Sequence, residues 1–211
     1  MKTLIIVNGM IENYKFYFPW ITEFDYIICA DGGVTHARNF GIIPNIIIGD
    51  LDSASLKDVH FFKNQNVPIQ VFPTQKDKTD TQLALEFAIE KGASHITIVG
   101  ALGTRFDHTL ANVHLLDISL QKKVPSVLVN EYNCIYMIQD SIHLTKKLGS
   151  IVSLIPFTSQ VTGVCTEGLF YSLKNATLLS GNSYGISNEM TESEANISID
   201  KGKLLVIQVH E

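Results

Sequence analysis

The chain has 211 residues, 45% of them hydrophobic and 18% charged, with a formal net charge of −5, and that length can bury a sizeable core in one domain or two small ones. The acidic balance excludes a nucleic-acid backbone as partner, because the lysine pairs Lys122-Lys123 and Lys146-Lys147 are too short to form basic patches. Three widely spaced cysteines, Cys29, Cys134 and Cys165, show no metal-ligand or disulfide spacing and read as small core residues in a reducing compartment.

In chain order, the first apolar run, residues 3–7, is too short for the hydrophobic region of a signal peptide, and no later run approaches membrane-spanning length. A cytoplasmic location with no membrane partner is expected. Residues 3–7, 26–30, 45–48, 68–72, 95–99 and 126–129 are apolar and rich in β-branched side chains, which predicts strands buried on both faces. Between them lie helical patterns, such as residues 80–91 with Leu83, Ala84, Phe87 and Ala88 on one face and Gly92 as terminator. This alternation predicts an open, parallel, Rossmann-like α/β domain over residues 1–130. From about Asn130 the texture changes to short alternating runs at 134–138, 151–155, 161–165, 176–179, 195–199 and 204–209, punctuated by Lys174-Asn175, Gly181-Asn182 and Lys201-Gly202. A second, smaller domain over 131–211, an antiparallel β-sandwich, is expected.

In an open parallel sheet, ligands bind beyond the carboxyl ends of the strands. The segments there are Asn8-Gly9, Asp31-Gly32-Gly33, Gly49-Asp50-Leu51-Asp52, Lys76-Asp77-Lys78-Thr79-Asp80 and Gly100. Asp50 and Asp52, two apart at a strand end, project from one face if the chain stays extended, and an oxygen-only pair suits a hard ion such as Mg2+. The competing reading makes Asp52 the cap of a helix starting at Ser53-Ala54-Ser55-Leu56, with Asp50 a solvated loop residue. Asp31 and Asp80 have similar alternatives, as a turn residue and a helix-start acid respectively. Four aspartates on three strand ends repel one another if they converge, so the pattern predicts a divalent cation. Lys76, Lys78 and Arg105 supply positive charge for phosphate oxygens. The apparent helix through Leu110, Val113 and Leu116 offers its N-terminus to an anion, and His108 beside it is either an acid–base group or a hydrogen-bonded structural residue. Neither G-x-x-x-x-G-K-[ST] nor G-x-G-x-x-G after the first strand is present, which excludes a P-loop and a dinucleotide oxidoreductase.

In this order, Ala30-Asp31-Gly32-Gly33, Gly49-Asp50-Leu51-Asp52-Ser53, Lys76-Asp77-Lys78-Thr79-Asp80, Gly100-Ala101-Leu102-Gly103-Thr104-Arg105-Phe106-Asp107-His108 and Gly185-Ile186-Ser187-Asn188-Glu189 resemble the thiamine pyrophosphokinases of bacteria, from Asn8-Gly9 to the last residues. Thr104 departs from the glycine more usual before the arginine, which touches only the local backbone. The resemblance implies pyrophosphoryl transfer from ATP to the hydroxyl of thiamine, giving thiamine diphosphate and AMP. It implies a Mg2+ and catalytic cluster of Asp31, Asp50, Asp52 and Asp80 with Arg105, in which Asp50 and Asp52 are direct ligands and Asp80 is a ligand or orients the thiamine hydroxyl. It further implies nucleotide contacts from Asn8, Gly32, Lys76, Asp77, Lys78, Thr79, Arg105, Asp107 and His108, and thiamine contacts from Asp80, Ser187, Asn188 and Met190. A homodimer is implied, the sandwich domain of one subunit completing the site of the other. The alternatives are a pyrophosphokinase of the same scaffold acting on a hydroxymethylpterin, and a sensor that binds MgATP or thiamine without chemistry.

Overall fold

The computed structural model describes residues 1–73, 77–146 and 150–210, and the chain divides into two compact units, Met1–Glu131 and Tyr132–Glu211. In the first unit the strands are β1 (Lys2–Ile6), β2 (Tyr26–Ala30), β3 (Ile46–Gly49), β4 (Ile69–Val71), β5 (His95–Val99) and β6 (Ser126–Val129). Helices α1 (Tyr14–Tyr17), α2 (Gly33–Phe40), α3 (Leu56–Asn64), α4 (Asp80–Glu90) and α5 (Phe106–Gln121) alternate with them. The strands run in the order β6-β5-β1-β2-β3-β4, every pair parallel. Leu4, Ile5, Ile28, Ile47, Ile48, Ile96 and Ile98 are buried along them, as expected for a parallel sheet covered by helices. The chain lays down β1 to β4 in one direction and then crosses back to add β5 and β6 beside β1. The carboxyl ends of β1 and β5 therefore flank the switch in strand order, where this architecture opens a crevice.

The second unit is all β: β7 (Asn133–Ile138), β8 (Ser141–Thr145), β9 (Ile151–Pro156), β10 (Gln160–Glu167), β11 (Ala176–Leu179), β12 (Asn188–Glu189), β13 (Glu194–Ser198) and β14 (Leu204–Val209). Within it, β12-β9-β14-β7 and β11-β10-β13-β8 form two antiparallel sheets. Val152, Leu154, Leu204 and Val206 from one sheet meet Leu144, Val161, Val164, Ala195 and Ile197 from the other in one core. Alternate inward residues of both sheets fill the space between them, which is the packing of a sandwich.

Candidate active site

The ends of β1, β2 and β5, the turn after β3 and the first turns of α4 and α5 enclose a cleft of about 510 Å3. Asn8, Asp31, Asp50, Asp52, Lys78, Thr79, Asp80, Arg105 and His108 line it, so nine of the residues singled out in the sequence face one space. Asp31 follows β2 directly. Its N–H donates to the Ile48 carbonyl at 2.8 Å and its φ is 47°, a left-handed conformation that aspartate tolerates better than most residues. Gly49, at φ 150°, ends β3 alongside it, and a Cβ there would sit 3.1 Å from Asp31 Cα. A side chain there would have to push Asp31 back by a few tenths of an ångström and would be strained at this φ, so glycine suits the close approach of the two strand ends.

The route of the Asp50–Asp52 pair to the cluster corrects the sequence reading. The strand stops at Gly49, and Leu51 takes φ 65°, so Asp50 and Asp52 do not share a face of an extended segment. Instead Asp52 N–H donates to Asp50 Oδ1 at 3.2 Å and the Ser53 hydroxyl donates to Asp52 Oδ1 at 2.9 Å. This is an aspartate turn closed by its own side chain. Helix α3 is also capped differently from the alternative reading: Ser55 is its N-cap, its Oγ accepting from Asp58 N–H at 3.4 Å. Asp52 lies three residues upstream, outside the cap.

One oxygen each from Asp31, Asp50 and Asp52 lies within 4.8 Å of the other two. Asp31 Oδ1 is buried and has no hydrogen-bond partner among the described residues, an expensive state for a carboxylate oxygen. Burial first, and the charges of Asp80 and Asp52, raise the Asp31 pKa; the Gly32 N–H and the Ser53 hydroxyl oppose them. Converging hard oxygens, one of them unpartnered, fit a divalent cation of the Mg2+ type. Asp80 stands at the first position of α4, after the N-cap Thr79, whose Oγ1 accepts from Gln82 N–H at 3.2 Å. It is a first-turn acid, near enough to bear on Asp31 without belonging to the close trio.

Positive charge enters from two loops. Arg105 Nε and Nη2 donate to the two oxygens of Asp107 at 3.2 and 2.6 Å, leaving Nη1 outside that fork. Asp107 is absent from the cleft lining and sets the guanidinium plane; the hydrogen bond from Arg105 lowers its pKa to about 2. Thr109 Oγ1 bonds both N–H and C=O of Gly103 and closes this loop on α5. Thr104 has no left-handed φ, so the substitution for glycine costs no strain. Lys78 Nζ pairs with Glu86 at 2.7 Å. Asp77 is exposed and outside the lining, and Gly32 serves through its N–H on Asp31. Lys76 lies outside the described residues.

Ser53, Thr109 and Asn112 also line the cleft and were given no site role from the sequence. Asn112 is buried, donating to the Ala101 carbonyl at 2.7 Å; an asparagine within the apolar stripe of α5 was the available signal. In the second unit, Ser187 takes φ 57° and its N–H donates to Ser153 Oγ at 3.0 Å. Asn188 is buried, its amide bonded to both backbone groups of Tyr171. Met190 is part of the sandwich core. Both therefore shape the segment from behind, and Phe170, Tyr171, Tyr184 and Ile186 are the exposed apolar residues beside it.

Comparison with known proteins gives the family. Residues 19–128 match the family model "Thiamin pyrophosphokinase, catalytic domain" and residues 139–204 match "Thiamin pyrophosphokinase, vitamin B1 binding domain". The thiamine pyrophosphokinase of Bacillus subtilis (strain 168) is 31% identical over 214 residues, 99% of each chain. The crystal structure of the B. subtilis thiamine pyrophosphokinase superposes with a TM-score of 0.91 at 28% identity, covering all of both chains. That of the Geobacillus thermodenitrificans enzyme gives 0.86 at 27% identity, covering all of this chain and 98% of the other. None of these points to a pterin-acting enzyme. The chain belongs to the thiamin pyrophosphokinase family.

Proposed function

We propose that this enzyme binds MgATP in the cleft of the first unit and transfers the pyrophosphoryl group to the hydroxyethyl oxygen of thiamine, releasing AMP. The convergence of Asp31, Asp50 and Asp52 around a buried, unpartnered oxygen is the observation that carries the reading. These three would hold Mg2+, with Asp80 beside them. The ion supplies charge neutralisation at the phosphate oxygens. The hydroxyl oxygen forms a bond to the β-phosphorus as the bond to the α-phosphate oxygen breaks, and AMP leaves. Such transfer asks for positioning and electrostatics more than covalent chemistry. Asp80, at the start of α4, orients the thiamine hydroxyl or completes the ligand set. Arg105, its plane set by Asp107, meets phosphate oxygens through the donors Asp107 leaves open. Lys78 and the N-terminus of α5 add positive potential, His108 on that first turn offers a hydrogen bond, and Asn8 with the backbone of Gly9 forms another part of the wall.

The second unit is read as the thiamine-binding and dimerisation domain. Exposed Phe170, Tyr171, Tyr184 and Ile186 surround the 187–190 segment with apolar and aromatic surface suited to an aromatic cation, and such a patch favours burial against a second copy. The active species is a homodimer in the cytoplasm, where free cysteines are stable. No helix among the described residues is long and apolar enough to cross a membrane. Incubation with ATP, Mg2+ and either thiamine or a hydroxymethylpterin tests the substrate. AMP and thiamine diphosphate in equal amounts are expected with thiamine; turnover of the pterin instead would overturn the assignment.

A further inference from the structure

The Asn8-Gly9-Met10 wall of the cleft is held at Gly9 from two sides. Gly9 N–H donates to the Gly100 carbonyl at 2.6 Å, and a Cβ at Gly9 would collide with that same carbonyl. Its own carbonyl accepts from His36 Nε2 of α2 at 2.7 Å. His36 Nδ1 lies 2.6 Å from the Tyr14 hydroxyl, and Asn39 Nδ2 donates to that hydroxyl at 2.9 Å. A carbonyl can only accept, so Nε2 carries the hydrogen. In the neutral ring Nδ1 must then accept from Tyr14, whose oxygen accepts from Asn39. The direction of every bond in this chain is thereby fixed, from Asn39 through Tyr14 and His36 to Gly9. The Tyr14 ring, half-buried, is held edge-on to Phe40 at 4.9 Å, which anchors the donor against a packed aromatic side chain. Burial keeps the imidazole neutral, opposed by the Gly9 carbonyl and by the charge of Glu131. Glu131 is itself occupied, accepting from the N–H groups of Glu12 and Asn13 at 2.9 and 2.8 Å, and so ties down the far end of the same loop. His36 is not among the cleft-lining residues.

We propose that His36, oriented by Tyr14 and Asn39, is a positioning residue for the nucleotide, acting through the Gly9 carbonyl to hold the Asn8-Gly9-Met10 wall in the conformation that receives ATP. The inference rests on the reading of the cleft as the MgATP site. A purely structural role lowers stability and moves both substrates alike or neither. A positioning role moves ATP alone.

The test is steady-state kinetics of the full chain with ATP and thiamine varied separately, for His36→Leu, His36→Gln and Tyr14→Phe, together with amide NMR of the wild type titrated with MgATP. For His36→Leu the KM for ATP is expected to rise about tenfold, the scale of one hydrogen bond lost at a partly buried carbonyl. The KM for thiamine and kcat should stay within about twofold. His36→Gln, whose amide N–H can serve the same carbonyl, should recover most of the loss, and Tyr14→Phe should shift the KM for ATP in the same direction by less. An unchanged KM for ATP in His36→Leu, or equal rises in both KM values, overturns the inference. If His36→Leu does not fold, an unchanged KM for ATP in Tyr14→Phe overturns it as well. Wild-type Asn8 and Gly9 resonances that move with MgATP while the variant KM values do not would overturn this inference alone. Resonances that do not move would overturn the cleft reading with it.

Discussion

Asp31 is where burial, two neighbouring carboxylates and a left-handed backbone all act against one charge. Its pKa is raised, so the folded state holds its proton more readily than the unfolded chain does. The folded state is therefore penalised increasingly as pH rises from the unfolded to the folded pKa, and fully above that. Asp31→Asn should stabilise the metal-free protein at neutral pH by roughly 0.5–2 kcal/mol, the scale of relieving a strained functional site, and so raise its thermal unfolding midpoint, while abolishing turnover. Thermal unfolding checks this, and a lower midpoint would contradict it. Mg2+ should raise the midpoint of the wild type and leave that of Asp31→Asn unmoved. The four aspartates were legible because strand ends could be placed from apolar runs. The turn that joins Asp50 to Asp52 was not, because leucine rarely takes positive φ and nothing in its side chain announces that Leu51 does so. The capping role fell to Ser55 instead of Asp52 because α3 begins later than the first helix-compatible residue.

At the scale of elements, helix starts carry the site. Thr79 caps α4 and thereby fixes the first residue, Asp80. Thr79→Ala should cost about 1 kcal/mol of stability and lower kcat by releasing Asp80, with Thr79→Ser restoring both; denaturant unfolding and turnover measured together check it. The Arg105–Asp107 fork is exposed, so Asp107→Asn should leave stability essentially unchanged and raise the KM for ATP a few-fold, about the worth of a lost orientation. With the Asp107 pKa held at about 2 by Arg105, the fork stays charged throughout the neutral range. Any pH dependence of the KM for ATP there must come from other groups. Strand β8 shows where periodicity fails. Its pattern leaves only Leu144 buried, as an edge strand can, and the alternation is too faint to separate it from a loop.

At the scale of the whole molecule, the alternation of strands and helices followed by strands alone made the two-part architecture legible, with the change of texture near Asn130. The order of strands was not legible, because the inner strands of the first unit are similarly apolar and the pairing of β1 with β5 is a matter of chain path; β4, expected to be buried on both faces, is instead an edge strand with Gln70 and Val71 exposed. That crossing opens the crevice, and the exposed aromatic patch of the second unit is the surface on which the proposed dimer would form. Tyr184→Asp should shift the protein toward monomer in light scattering and raise the KM for thiamine more than that for ATP. A stable dimer with unchanged kinetics would count against the patch.

The carboxylate cluster as a Mg2+ site for pyrophosphoryl transfer is tested most directly by AMP release from ATP and thiamine in wild type and Asp52→Asn across a Mg2+ titration, with circular dichroism to confirm the fold. The expected result is Mg2+-dependent AMP formation in the wild type and a fall of about 10²–10³-fold or more in the folded variant. Folded Asp52→Asn enzyme releasing AMP at the wild-type rate with the same Mg2+ dependence would contradict the assignment.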